Sequence, residues 1–302
     1  MQSRCKELFR RFQLAKQPGP HSYHWATHHD GGGSWHVVIG GIIHGNEVGS
    51  LPGLVTIAEK IAAKQFKFPH KLTIFLGNPE ATLRECRFLE SDLNRCFLRR
   101  PVETFETKRA QELIPILEQA DLFIDLHQTI RHTERPFYIF PHRKDSLKWA
   151  EHLDLSQTYV DATPGNAPSD TRCADEFVWL RNKPAITVEL SEKGFNPEAD
   201  RLTMQLFEKL LHADSVPPQS ESSKLELLHT SHREPYGLKT RRLRPGLTNF
   251  TPVVAGDNLA RINSPEIIVP TSGYLLFPKY PPENPDGSLI HQAPNHIFRI
   301  IS

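Results

Sequence analysis

Short apolar runs alternate along this chain with stretches of helical period, and that alternation limits the fold more than any other feature. Val37 to Ile43, Lys71 to Leu76, Asp121 to His127, Phe137 to Phe140 and Pro184 to Leu190 each read as strands. Between them, Val48 to Ala63 carries Leu51, Leu54, Val55, Ala58 and Ile61 on one helical stripe. Glu103 to Gln119, Lys144 to His152, Asp175 to Arg181 and Glu198 to His212 are further predicted helices. Strands that are apolar on both sides need cover on both faces. The fold class is therefore α/β, a mixed sheet flanked by helices. In such sheets the side chains that do chemistry gather at the carboxyl ends of strands. His44, His127 and Glu189 each fall at a predicted strand end.

The pattern changes at Ala213 to Ser223, a polar stretch rich in Pro and Ser that reads as a linker. Beyond it lie short β-like runs, Ile267-Ile268-Val269, Tyr274 to Phe277 and Ile297 to Ile301, with no long helical period. Two domains are expected: a catalytic one over residues 1–213 and a smaller β-rich C-terminal one over 224–302. With 36 basic and 35 acidic residues the net charge is +1, so neither nucleic acid nor an anionic membrane is an expected partner. No apolar run approaches the roughly 20 residues that span a bilayer. The basic, amphipathic stretch Arg4 to Phe12 lacks a signal peptide's apolar core and reads as a short surface helix, a transit peptide being the alternative. Cys5, Cys86, Cys96 and Cys173 form no CxxC pair and are expected to be reduced thiols, which points to the cytoplasm. His28-His29, beside Gly31-Gly32-Gly33, is read as part of a polar loop and not as a metal site.

Chemistry concentrates at His44-Gly45-Asn46-Glu47, directly after the first strong strand. A strand that breaks into a histidine and a glutamate three residues apart can aim an imidazole nitrogen and a carboxylate oxygen at one point. Those donors suit Zn²⁺, which in catalytic sites takes three protein ligands and keeps one position open. The third ligand must come from elsewhere, and His127, closing another apolar strand, is the candidate. Asp125, two residues earlier on the same strand face, either orients an imidazole or caps a neighbouring loop. Between the two ligand strands lie Arg87, Asn94 and Arg95. Guanidinium forks match a substrate carboxylate bidentately; the alternative is an exposed basic loop, as read for Arg84, Arg99 and Arg100. Glu189 ends an apolar strand, where an unpaired carboxylate is expensive to bury. It is either a structural acid paired with Arg172 or Arg181, or a general base whose pKa is raised by desolvation.

Taken in order, His44-Gly45-Asn46-Glu47, Gly77-Asn78-Pro79-Glu80-Ala81, Cys86-Arg87-Phe88, Asp92-Leu93-Asn94-Arg95, Asp125-Leu126-His127 and Val188-Glu189-Leu190 resemble the succinylglutamate desuccinylase/aspartoacylase family. That family belongs to the larger zinc carboxypeptidase-like group. Ala255-Gly256-Asp257 and Leu276-Phe277-Pro278 are similar, less distinctively, to its β-rich C-terminal domain. The resemblance implies a zinc carboxypeptidase-like fold and one Zn²⁺ per chain on His44, Glu47 and His127. It further implies Glu189 as general base, Arg87 polarising the acyl carbonyl, and Asn94 with Arg95 holding a carboxylate. The expected function is zinc-dependent hydrolysis of the amide bond of a small N-acyl amino acid, with a homo-oligomer left open. A zinc carboxypeptidase acting on peptides and a non-catalytic zinc-binding relative share the same residues. Members of the family carry a further substrate arginine and tyrosine upstream of the base; here Arg172 and Arg181 stand in that region at a different spacing.

Overall fold

His36–Gly41 is buried at every position, as a strand covered on both faces must be. The computed structural model describes residues 1–98, 103–164, 172–213, 218, 225–237, 240–284, 289 and 295–302. The expected linker lies outside the described residues apart from Ala213 and Pro218, as do Arg99 and Arg100. The chain forms two compact units, residues 1–128 with 136–226 and residues 129–135 with 227–302. Among the described residues no helix is long and apolar enough to cross a membrane.

The first unit runs α1 (Gln2–Ala15), β1 (Ala26–Asp30), β2 (His36–Gly41), α2 (Leu51–Ala62), β3 (Lys71–Leu76), α3 (Pro79–Leu83), α4 (Phe105–Glu118), β4 (Leu122–Thr129), β5 (Phe137–Phe140), α5 (Lys144–Leu153), β6 (Thr158–Asp161), α6 (Ala174–Trp179), β7 (Ala185–Glu192) and α7 (Pro197–Leu211). Its sheet has the order β1-β3-β2-β4-β7-β5-β6. Strand β2 runs parallel to β3 and β4, and β5 parallel to β6, whereas β1 against β3 and β5 against β7 are antiparallel. The sheet is therefore mixed, with helices on both faces. Leu8 and Phe12 of α1, Leu54 and Val55 of α2, Trp149 of α5 and Leu206 of α7 pack on one side. Leu113 and Ile116 of α4 and Phe177 and Val178 of α6 pack on the other, with Phe75 and Phe123. The predicted stripe Leu51, Leu54, Val55, Ala58 and Ile61 is the face that α2 buries. The amphipathic N-terminus is α1, which buries Cys5, Leu8, Phe9 and Phe12.

Three expectations need correction. Strands β4 and β7 continue past His127 and Glu189, so those residues sit inside strands and not at their ends. His28 and His29 lie in β1, an edge strand paired with β3, rather than in a loop. An edge strand tolerates polar residues, and His28 Nδ1 lies 3.0 Å from Thr73 Oγ1 on the neighbouring strand. Ile267-Ile268-Val269 makes only an isolated bridge from Ile268 to Asn258. Pro265 and Pro270 flank it and remove the donors that a longer ladder requires.

In the second unit β8 (Glu226–Pro235), β9 (Pro252–Val253), β10 (Gly273–Leu276) and β11 (His296–Ile301) form the antiparallel order β8-β11-β10-β9. Its core gathers Leu243, Leu259, Ile267, Val269, Leu275, Phe298 and Ile300.

Candidate metal centre

The chain leaves β2 through Ile42, which adopts φ 49°. A β-branched residue in the left-handed region costs on the order of 1–3 kcal/mol and persists only where its surroundings impose it. Here they do: Gly77 N donates to Gly41 O at 2.8 Å and Asn78 N to Ile42 O at 2.9 Å. The turn delivers His44 and Glu47 beyond the carboxyl end of β2. Gly45 has no alternative at its position, because a Cβ there would stand 2.5 Å from the backbone of Ala81 and Thr82 in α3.

His44, Glu47 and His127 are buried, and their donor atoms lie within 4.8 Å of one another. His44 Nδ1 lies 2.8 Å from Glu47 Oε1 and 3.2 Å from His127 Nδ1, which is itself 2.9 Å from Glu47 Oε2. Ligand atoms held 2.0–2.1 Å from one zinc ion in a tetrahedron are about 3.3 Å apart. The triad already has close to that spacing, so the residues fit a zinc-sized cation. Two imidazole nitrogens facing each other across a carboxylate satisfy a cation better than they satisfy themselves. Burial opposes the charge on Glu47, yet the two rings hold its carboxyl well below the usual range. Burial likewise opposes a charged His127, but Asp125 and Glu47 outweigh it and hold this imidazole well above its ordinary pKa.

Carboxylates stand behind both rings. His127 Nε2 lies 2.9 Å from Asp125 Oδ2, and His44 Nε2 lies 3.1 Å from Asp92 Oδ1. Asp125 is placed to accept a proton from His127 Nε2 and so to fix that ring's orientation, while Asp92 stands at the Nε2 of His44, a nitrogen that it shares with Arg87 Nη2. Of the two readings of Asp125, the imidazole partner is the one realised. Asp92 and Gln128 were not singled out for a role. Asp92 had a signal, an acid at the head of Asp92-Leu93-Asn94-Arg95. Gln128 had a weaker one, a polar residue inside an apolar strand. Its Oε1 accepts from Gly49 N at 2.7 Å, its Nε2 donates to Glu192 O at 2.7 Å, and its own N donates to Glu47 Oε2 at 3.1 Å.

Arg87 joins the cluster. Its Nη1 donates to Glu47 Oε1 at 3.0 Å, its Nη2 lies 2.7 Å from His44 Nε2, and it pairs with Asp92 at 3.3 Å. Asn94 is buried, with Nδ2 3.5 Å from His127 Nε2 and Oδ1 accepting from Ala174 N at 2.9 Å. Its carbonyl thus holds the start of α6 and its amide nitrogen faces the cluster. Arg95 is exposed, and its Nη1 donates to Asn94 O at 2.6 Å and to Cys173 Sγ at 2.9 Å. Glu189 is buried on β7, next to β4, and its Oε2 has no hydrogen-bond partner. Among the described residues it forms no ion pair, and Arg181 instead pairs with Glu118 and lies over the Phe177 ring. Burial pushes the Glu189 carboxyl up to about 8, the Glu47 carboxylate adding to the shift while His127 and Arg87 pull against it. Its oxygen without a partner thus lies within electrostatic reach of Glu47, His127 and Arg87.

Residues 35–213 match the Succinylglutamate desuccinylase/Aspartoacylase catalytic domain. The succinylglutamate desuccinylase of Pseudomonas paraeruginosa (strain DSM 24068 / PA7) is 32% identical over 177 residues, 54% of this chain and 48% of that protein. The one from Serratia proteamaculans (strain 568) is 29% identical over 145 residues, 43% of this chain and 44% of that protein. The chain spans about half the length of the curated relatives it matches. Among solved structures, succinylglutamate desuccinylase from Vibrio cholerae superposes with a TM-score of 0.70 at 18% identity, covering 92% of this chain and 85% of that one. Murine aminoacylase 3 superposes with a TM-score of 0.59 at 17% identity, covering 89% and 95%. Those likenesses are of fold, and the match over residues 35–213 makes this chain a member of the succinylglutamate desuccinylase/aspartoacylase family.

Proposed function

We propose that this chain hydrolyses the amide bond of a small N-acyl amino acid, giving a carboxylic acid and a free amino acid, with zinc held by His44, Glu47 and His127. One observation carries the reading: three buried donors with the spacing of a tetrahedral metal face, with the unpaired Glu189 carboxyl on the neighbouring strand. When bound, the ion supplies Lewis acidity, polarising the amide carbonyl and making water nucleophilic near neutral pH. Glu189 takes the proton of the attacking water and returns it to the departing amine. Arg87 donates hydrogen bonds to the oxygen on which negative charge develops. The Asn94 amide nitrogen and the Arg95 guanidinium hold a substrate carboxylate. In this reading residues 1–213 carry the chemistry and the β-rich residues 224–302 accompany it. The four free cysteines suit a reducing compartment, and we place the reaction in the cytoplasm.

A hydrolysis panel of N-succinyl and N-acetyl amino acids, their α-carboxyl methyl esters and unmodified peptides tests the substrate class. The Pseudomonas relative's name makes N-succinyl-L-glutamate the first compound to try. Free acids are expected to be cleaved and their esters not, by the roughly tenfold to hundredfold that a charge-assisted hydrogen bond contributes. Equal rates for acid and ester would remove the carboxylate-holding role. Efficient release of C-terminal residues from long peptides would move the assignment to a carboxypeptidase.

A further inference from the structure

Glu106 has no exposed surface, sits in the first turn of α4, and is not used by the chemistry above. A carboxylate this deeply buried is costly unless hydrogen bonds take up its lone pairs. Four donors do so. Leu89 N at 2.7 Å and Asn78 Nδ2 at 3.1 Å reach Oε1, while Glu90 N at 3.1 Å and Ser91 N at 3.0 Å reach Oε2. The lacing is reciprocal, since Phe105 N donates to Glu90 Oε2 at 2.6 Å and Ser91 Oγ lies 2.7 Å from Thr104 Oγ1. An acid in a first helical turn ordinarily serves its own helix's N–H groups from the surface. This one spends its oxygens on another segment.

That segment follows directly on Arg87, which touches both Glu47 and His44. We propose that Glu106 is a positioning residue: by pinning the backbone of residues 89–91 to α4 it holds Arg87 against Glu47 and His44, and so sets the affinity of the metal centre through Arg87. The proposal rests on reading His44, Glu47 and His127 as a metal site. An amide at position 106 turns an NH₂ group toward donors that need an acceptor, so the charged form is required and not merely the shape.

The test is the zinc affinity of the full chain, measured by chelator competition, for wild type, Glu106→Gln, Arg87→Ala and the double variant. Glu106→Gln is expected to weaken zinc binding about tenfold, the lower end for a group that acts through a neighbour of the ligands. The amides of residues 89–91 are expected to exchange faster in that variant while the protein still melts cooperatively. In the Arg87→Ala background the same substitution is expected to leave zinc affinity unchanged, because its route to the site is gone. A purely structural carboxylate gives the same fold-loss in both backgrounds, and that result overturns the proposal. An unchanged affinity in Glu106→Gln alone overturns it equally. Should Glu106→Gln not fold, Glu106→Asp keeps the charge with its oxygens one methylene short, and the same cycle is read with a smaller loss. A wild-type chain that binds no zinc at all overturns the metal reading, and the proposal with it.

Discussion

Glu189 and Asp175 are both acids buried on the same side of the sheet, and their surroundings give them different work. Glu189 has an oxygen without a partner, and burial raises its carboxyl to about 8. Glu189→Gln keeps the volume and one oxygen but cannot accept a proton. It is expected to retain zinc and to lose a factor of about 10²–10⁴ in kcat, the usual scale for general acid–base work. Loss of zinc, or near-normal turnover, would contradict the base role. Asp175 is satisfied, with the Thr187 hydroxyl donating at 2.8 Å and Glu176 N at 2.8 Å. Burial pushes its carboxyl up to about 6, the Thr187 hydroxyl pulling against it, whereas an unfolded Asp titrates near 4. Between those values the folded chain keeps a proton that the unfolded chain releases. The stability this confers is complete below about pH 4 and lost as pH rises through about 6. Asp175→Asn does not titrate, so its stability relative to wild type is expected to rise by up to about 3 kcal/mol across that window. Denaturant midpoints of both proteins at several pH values check this, and a difference that does not vary with pH would contradict it. Glu189 was legible as a candidate because it interrupts an apolar run. Asp175 and Glu106 were not, because an acid near a helix start reads as an ordinary first-turn residue.

At the scale of elements, legibility follows burial. Strands β2, β3, β4 and β7 are apolar nearly throughout because both faces are covered, and each stood out as a continuous run. Strands β1, β6 and β8 did not. The burial of β8 alternates, but its inward positions include Thr230, His232 and Glu234, and β1 ends at exposed Asp30, so neither sequence carries an apolar period. Strand ends were misjudged for a related reason: Gln128-Thr129 and Ser191-Glu192 are polar, yet hydrogen bonding from Gln128 to Ser191 Oγ and Glu192 O carries both strands onward. The turn that bears His44 and Glu47 was readily legible, and packing makes it intolerant of change. Gly45→Ala would set a methyl group 2.5 Å from the α3 backbone. Forcing that contact should cost about 1–3 kcal/mol and displace His44 or Glu47. Urea unfolding and zinc content are expected to fall together in this variant; wild-type values for both would show that α3 can yield.

Over the whole molecule, the near-balanced charge of +1 leaves recognition to local groups. The pairing of His44 and Glu47 with a distant histidine was readable because metal chemistry demands few residue types at constrained spacing. The membership of residues 129–135 in the second unit was not. It depends on Asn249, fully buried, which donates from its side chain to Arg131 O at 3.1 Å and His132 O at 3.0 Å and accepts from Phe277 N at 2.8 Å. An asparagine in Leu247-Thr248-Asn249-Phe250 looks like a turn residue, and nothing local names its partners. The segment it ties down begins two residues after His127. The central claim, that this chain is a metal-dependent N-acyl amino acid hydrolase, is tested most directly by one measurement. The full chain is stripped of metal, titrated with zinc, and assayed at each point for hydrolysis of N-succinyl-L-glutamate and its N-acetyl counterpart. The account predicts no activity in the stripped protein and recovery that saturates at about one zinc per chain, the stoichiometry of a single three-ligand site. Full activity without metal, or none with either compound at saturating zinc, would contradict it.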